Sequence, residues 1–483
     1  MEILNSNAIT DRKSLPIKVM QFGGGNFLRA FVDISIQKIN NATNFNAGVA
    51  VIKPTARGDY QELKSQDGLF SVQLEGYENN TFVQDLTVVD CIQKVINPYS
   101  EWQKYIDLSK TPKLRFIISN TTEAGIVFNS NDAFDHTPPK EFPAKLTVWL
   151  FHRFTHFDGA LDKGCILLPV ELIDKNGEAL KQCILQYADH WSLSDAFKNW
   201  ISEACIFYNT LVDRIVSGYP KDKIEEIEAK LGFKDQLAVA GELYQSWLLE
   251  GPDDILNEFP FNKTDLNIEL VSDLESYRNL KVRILNGAHT SMVPVAYLLG
   301  ERLVKDAMKN TQVANFIHQV LMSEVLETLD FPQDYKEQFA NDVVNRFKNP
   351  ALNHKLISIS LNSTSKFVTR LLPSLKDYLK IKGSLPTNIT FALSALIRFY
   401  EGSFNNDKIN LNDTTSILEY FSNIWKQFRK NDIDLNTLTT RLLGNSHIWQ
   451  EDLNQITGLT NMVYKNLSNI EKYGFEEALT IIN

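Results

Sequence analysis

Lys281, Asn286 and His289 fall within one nine-residue stretch, Lys-Val-Arg-Ile-Leu-Asn-Gly-Ala-His. An amine whose pKa is lowered by burial or by neighbouring cations can give and take a proton near neutral pH. A carboxamide N–H and an imidazole N–H can hold an oxygen on which negative charge builds up. Together these groups suit a metal-free interconversion of alcohol and ketone, provided the chain also binds a hydride carrier. On a uniform α-helix Asn286 would lie about 140° and His289 about 80° around from Lys281, on one broad face. Asn286 and His289 would be i,i+3 neighbours, and Gly287 would leave room for a close approach. Each residue alone has a plainer reading: a solvated lysine, a helix cap, a satisfied core histidine. The three together, following a dinucleotide-type half, favour chemistry. No HxxxH, HxH or nearby cysteine pair accompanies His289, so no metal site is expected.

A site for the hydride carrier is offered near the N-terminus. Val19-Met-Gln-Phe-Gly23-Gly24-Gly25-Asn26-Phe27-Leu28-Arg29 runs from a strand pattern through glycines into a helix pattern. Gly23 can make the tight turn, and Gly25 lets backbone approach a pyrophosphate at the helix N-terminus. Leu28 stands where GxGxxG has its third glycine, so the fingerprint is incomplete and a simple strand-to-helix loop is the alternative. The second strand ends Val51-Ile52-Lys53-Pro54-Thr55, with no acidic ribose contact. Lys53 and Arg57 could accept the extra phosphate of NADP, or be ordinary surface cations, so spacing alone leaves NAD and NADP open.

The elements that must carry these residues divide in two. Ile17 to Phe22 and Val49 to Ile52 read as strands, and Leu114 to Ser119 and Cys165 to Val170 are short apolar runs bounded by polar turn residues, as buried parallel strands are. Leu28, Val32, Ile36 and Ile39 repeat with helical period. Phe70, Val72 and Leu74 alternate with polar residues before a Gly76–Asn80 turn, which predicts a hairpin inserted in the sheet. Beyond about residue 270 the patterns are helical, at about 292–308, 313–329, 351–361, 367–379 and 390–400. The expected fold is an α/β Rossmann-type domain over residues 1–270, followed by a mainly helical domain over 271–483 that carries substrate and catalysis.

Composition narrows the function. The chain has 483 residues, 43% hydrophobic and 22% charged, with a net charge of −10. That balance argues against a general nucleic-acid or anionic-membrane binder. Four scattered cysteines without a CxxC pair, no apolar signal core and no membrane-length apolar run predict a cytoplasmic protein with reduced thiols.

Gly23-x-Gly25-x-Phe27-x-Arg29 combined with Lys281-x4-Asn286-x2-His289 resembles the polyol-specific long-chain dehydrogenase family, also called the mannitol dehydrogenase family. Asn209-Thr-Leu-Val-Asp213-Arg214-Ile215, Arg346-Phe347-x-Asn349-Pro350, Ser365-Lys366 and Leu372-Pro373 extend the resemblance over nearly the whole chain. Within the family, QFGGGNFLRAFVD, SNTTEAGI, GALDKG, ELIDKNG, TLVDRIVSGYP and ILNGAHT resemble the branch that interconverts tagaturonate and altronate with NADH in galacturonate breakdown. The resemblance implies an active site in the cleft between the two domains, a zinc-free mechanism, NAD as cofactor and a small hexuronate or aldonate substrate. It implies Lys281 as general acid and base, with Asn286 and His289 holding the substrate oxygen.

Further site residues follow from position. Asn120 and Glu123, in Ser119-Asn-Thr-Thr-Glu-Ala-Gly125, lie just past a strand pattern, the end at which open α/β sheets bind ligands. Asn120 is expected at the cofactor. Glu123 is expected at the substrate or as a proton relay, with loop capping as the equal alternative. Asp213 is a substrate contact, or else an ion-pair partner of Arg214 or a buried cap. Glu171 is a weaker candidate of the same kind. Lys366 and Arg370, four apart, would share a helix face and anchor a uronate carboxylate, unless they form a solvated basic stripe. The gathered cofactor set is Gly23, Gly24, Gly25, Asn26, Phe27, Arg29 and Asn120. Sister activities of the family (fructuronate reductase, mannitol-type dehydrogenase) use the same Lys/Asn/His group. A catalytically silent nucleotide-binding protein would have no need of it.

Overall fold

The computed structural model describes residues 1–9, 12–78, 81–121, 124–405 and 407–482. The chain forms two compact units, Met1–Leu274 and Glu275–Asn483.

The first unit is built on a six-stranded, all-parallel sheet. Its strands are β1 (Ile17–Phe22), β2 (Gly48–Ile52), β5 (Ile92–Ile96), β6 (Phe116–Ser119), β7 (Ile166–Pro169) and β8 (Ile206–Phe207), in the spatial order β5-β2-β1-β6-β7-β8. This is the doubly wound order, with winding that reverses between β1 and β6. The central strands are mostly apolar because both their faces are covered. Val19, Val49, Val51, Phe116 and Ile118 enter one core, and Met20, Phe22, Ala50, Ile52 and Ile117 enter the other. Alternate side chains point to opposite faces, so both registers must be apolar.

The hairpin is present but does not join this sheet. β3 (Phe70–Glu78) and β4 (Thr81–Val89) pair antiparallel, and β3 pairs in parallel with β11 (Val239–Glu242). With β10 (Val216–Gly218) they make a separate four-stranded sheet. Asn79 and Asn80 of the expected turn lie outside the described residues. A third sheet joins β9 (Asn209–Asp213), β12 (Ser246–Glu250) and β13 (Ile268–Val271).

The second unit is helical around one apolar core. Helix Thr387–Phe399 is buried on all sides from Asn388 onward, as its nearly continuous apolar sequence requires. The helix expected over 292–308 stops at Leu298, where Gly300 takes φ +96. The one expected over 367–379 is two helices, Ser363–Arg370 and Leu372–Lys382, the second opening on Pro373. Proline fits a first turn because its missing N–H would have no helical partner there.

Candidate active site

The glycine turn leaves the carboxyl end of β1, beside the point where the winding reverses. Gly23 N–H donates to Ile52 O at 3.0 Å. Its φ of +118 belongs to glycine, and a Cβ there would stand 2.7 Å from Leu28 Cδ1 and 3.2 Å from Asn120 O. Gly25 differs: it is exposed, and nothing lies within 4 Å of where its Cβ would be. The helical run begins at the exposed Asn26 and continues through a π segment, Arg29–Asp33, into Ile34–Ala42. An open glycine at a helix N-terminus with no side-chain cap among the described residues fits a pyrophosphate.

Phe27 stacks on Phe31 with centroids 4.9 Å apart. Arg29 is only 7% exposed and turns into the unit. Its guanidinium lies over Phe70, donates to Leu237 O, and donates to Asn26 Oδ1 at 2.7 Å. Burial lowers its pKa to about 10, against the pull of Asp235 and Asp33, so it stays charged at neutral pH. Tyr60, which the sequence reading did not name, sets its ring 3.2 Å from a Cβ position on Gly24.

Asn120 follows β6 across the reversal point. Its N–H donates to Phe22 O at 3.2 Å and its Nδ2 to Val170 O at 3.3 Å. Glu171, just past β7, is buried and accepts from Ser119 Oγ, Thr121 N and Thr121 Oγ1 at 2.9–3.0 Å. Burial raises its carboxyl above the usual range, against those hydrogen bonds. Glu123 lies outside the described residues. Asp213 closes β9 opposite Ser246, while Arg214 donates to the carbonyls of Ala30, Tyr244 and Leu243. Lys53 is 1% exposed, with its amine donating to Thr55 O and lying over Tyr99, so it is no open surface cation; Arg57 is exposed.

In the second unit Lys281, Asn286 and His289 occupy one uninterrupted helical run: Leu274–Lys281, a π segment Val282–Asn286, then Gly287–Leu298. The π segment corrects the uniform α-helix expected, and with it the 140° and 80° spacings. Such wide turns recur at functional sites. Lys281 and Asn286 are partly exposed and His289 is buried to 9%. The His289 ring lies 4.2 Å from Phe347 and 5.4 Å from His354, whose own pKa burial lowers. Phe347 is the aromatic of the Arg-Phe-x-Asn-Pro block. A Cβ on Gly287 would sit 3.4 Å from Leu371 Cδ2, an ordinary contact.

Helix Ser363–Arg370 brings Arg370 to this run. Arg370 Nη1 donates to Thr290 Oγ1 at 3.3 Å, and that hydroxyl donates to Asn286 O at 2.8 Å. Lys366 gives one N–H to Ile359 O at 2.8 Å. Burial lowers the pKa of both, and for Lys366 the nearby Arg370 adds to it. Thr290 was missed by the sequence reading, although its place four residues after Asn286 was a signal. Among the described residues no three His, Cys, Asp or Glu side chains gather as a metal site, and no helix is long and apolar enough to cross a membrane.

Residues 17–269 match the mannitol dehydrogenase Rossmann domain, and residues 273–471 match the mannitol dehydrogenase C-terminal domain. The chain belongs to the mannitol dehydrogenase family. Among members of the family, it is 44% identical over 479 residues to an altronate oxidoreductase of Bacillus subtilis (strain 168), covering 99% of this chain and 98% of that one. It is 42% identical over 480 residues to an altronate oxidoreductase of Yersinia enterocolitica, covering 99% of each. Two solved structures share the family fold. A substrate-free D-sorbitol dehydrogenase aligns with TM-score 0.79 at 20% identity, over 97% of this chain and 96% of that one. The Pseudomonas fluorescens mannitol 2-dehydrogenase, solved with NAD and D-mannitol, aligns with TM-score 0.66 at 18% identity, over 100% of this chain and 99% of that one.

Proposed function

We propose that this protein is an NAD-dependent oxidoreductase that interconverts tagaturonate and altronate without a metal. The observation that carries the reading is the single helical run bearing Lys281, Asn286 and His289 with Arg370 bonded to its Thr290. Full-length likeness to altronate oxidoreductases supports the substrate class.

The cofactor, when bound, supplies or accepts a hydride at the substrate carbon. Gly25 and the helix N-terminus at Asn26 receive the pyrophosphate, with Gly24 and Phe27 completing the turn. Arg29 acts through Asn26, whose carboxamide it holds. Asn120 lines the cofactor groove across the reversal point. Lys281 gives its proton to the new alkoxide in reduction and takes the alcohol proton in oxidation. Asn286 and His289 donate to the substrate oxygen, and Phe347 and His354 fix the imidazole plane. One such donor is worth on the order of 10²–10³ in rate. Arg370, with Lys366 behind it, receives the carboxylate, and Asp213 and Glu123 act on the substrate hydroxyls. The two units correspond to the two tasks, dinucleotide binding in the first and catalysis in the second, and the whole acts as a cytoplasmic enzyme.

The test is a substrate panel. Purified protein with NADH or NADPH is given tagaturonate, fructuronate and fructose, and loss of reduced-cofactor absorbance is followed. Preference for NADH with tagaturonate is expected. Preference for fructuronate or fructose would point to a sister activity, and no turnover at all would favour a silent nucleotide binder.

A further inference from the structure

We propose that Glu171 is a positioning residue that sets the nicotinamide half of the cofactor groove by clamping both neighbours of Asn120. The inference rests on the dinucleotide reading given above.

Glu171 is 2% exposed. A buried carboxylate is costly unless its oxygens are satisfied. Here one oxygen accepts from Ser119 Oγ at 3.0 Å, and the other from Thr121 N and Thr121 Oγ1 at 3.0 and 2.9 Å. These donors are neutral and come from the residues before and after Asn120. Backbone pairing does not need the clamp. β6 and β7 are already in register from Phe116↔Ile166 to Ser119↔Pro169, and Val170 N–H extends the ladder to Ser119 O. Glu171 lies past the end of that ladder, so what it fixes is the chain leaving β6.

Thr121 is also closely packed. A Cβ on Gly125 would fall 1.9 Å from Thr121 Oγ1, so the glycine is required where the hydroxyl stands. Asn120 in turn touches the glycine turn, with its carbonyl 3.2 Å from a Cβ position on Gly23. In a doubly wound sheet each half binds one mononucleotide. The half built on β1, β2 and β5 carries the glycine turn and takes the adenosine side. β6, β7 and β8 therefore serve the nicotinamide side, and Glu171 stands at the carboxyl end of that half.

This placement predicts an effect confined to one end of the cofactor. Glu171→Gln keeps the shape but removes the charge, and its N–H₂ faces Ser119 Oγ, whose hydroxyl must then accept instead of donate. NADH binding (by energy transfer to its fluorescence) and ADP-ribose binding (by calorimetry) are compared in wild type and variant, alongside the melting temperature. The variant is expected to weaken NADH about tenfold while ADP-ribose affinity stays unchanged; the melting temperature should fall, because the altered bonds lie within the protein. Glu171→Asp, which keeps the charge, should recover part of the NADH affinity. Equal weakening of NADH and ADP-ribose, or no change in either, would overturn the role of Glu171 alone. Wild-type protein that bound neither ligand would overturn the cofactor reading beneath it.

Discussion

The guanidinium of Arg370 donates to the Thr290 hydroxyl at 3.3 Å, one residue past His289 on the same helical run. Only one of its five N–H donors is used in that bond. Replacing Arg370 by leucine removes the cation bonded to Thr290, the residue after His289. We expect kcat/KM for tagaturonate to fall about 10- to 100-fold, the worth of charge-assisted bonds to a carboxylate. Any residual turnover of fructose, which has no carboxylate, should change far less. Steady-state kinetics on both substrates check this, and equal losses would remove Arg370 from carboxylate recognition.

Gly23 and Gly25 should separate under substitution by alanine. At Gly23 an added Cβ meets Leu28 Cδ1 at 2.7 Å in a backbone of φ +118, so the variant should lose stability as well as NADH binding. At Gly25 nothing lies within 4 Å, so the fold should be untouched while the methyl obstructs phosphate approach. Melting curves and NADH titrations on the two variants distinguish these outcomes. Unchanged NADH affinity in Gly25→Ala would contradict its place against the pyrophosphate.

Asp33 should make stability depend on pH. It is fully buried beneath the glycine turn, and Gln21 Nε2 bonds both its Oδ2 and the Gly23 carbonyl. Arg29 and Cys91 face it from its own helical run and from the start of β5. Burial raises its pKa to about 7, outweighing the Gln21 bond and the attraction of Arg29. A carboxyl raised in the fold stabilises fully below its unfolded pKa of about 4, and that contribution is lost as pH rises through about 7. Asp33→Asn stays neutral, and its N–H₂ can meet Gln21 Oε1, which has no partner among the described residues. The melting temperature of the variant relative to wild type should therefore rise from pH 5 to pH 8. A flat difference would contradict the buried charge.

Much of this was legible in the sequence, and the gaps have physical reasons. β1, β2, β6 and β7 stand out because burial on both faces demands mostly apolar runs. β5 (Ile-Gln-Lys-Val-Ile) and the two-residue β8 are sheet edges, exposed along one side, and carry no such run. The hairpin strands were readable from their alternation, but their partner β11 lies more than 150 residues on, and no local pattern encodes that pairing. In the site, Gly23, Gly25 and the Lys281–His289 spacing could be read directly. The inward turn of Arg29 could not, because an arginine after a glycine turn looks the same in sequence whether it meets a phosphate or Leu237 O. The π segment escaped because periodicity analysis assumes a uniform turn.

The most direct test of the account is single-turnover kinetics of Lys281→Ala with NADH and tagaturonate. NADH should bind as in wild type, because the glycine turn lies in the other unit. Oxidation of NADH on adding tagaturonate should slow by about 10²–10⁴, the usual worth of a positioned proton donor. Turnover near the wild-type rate would take Lys281 out of the reaction, and wild-type protein that failed to oxidise NADH with tagaturonate would contradict the proposed activity itself.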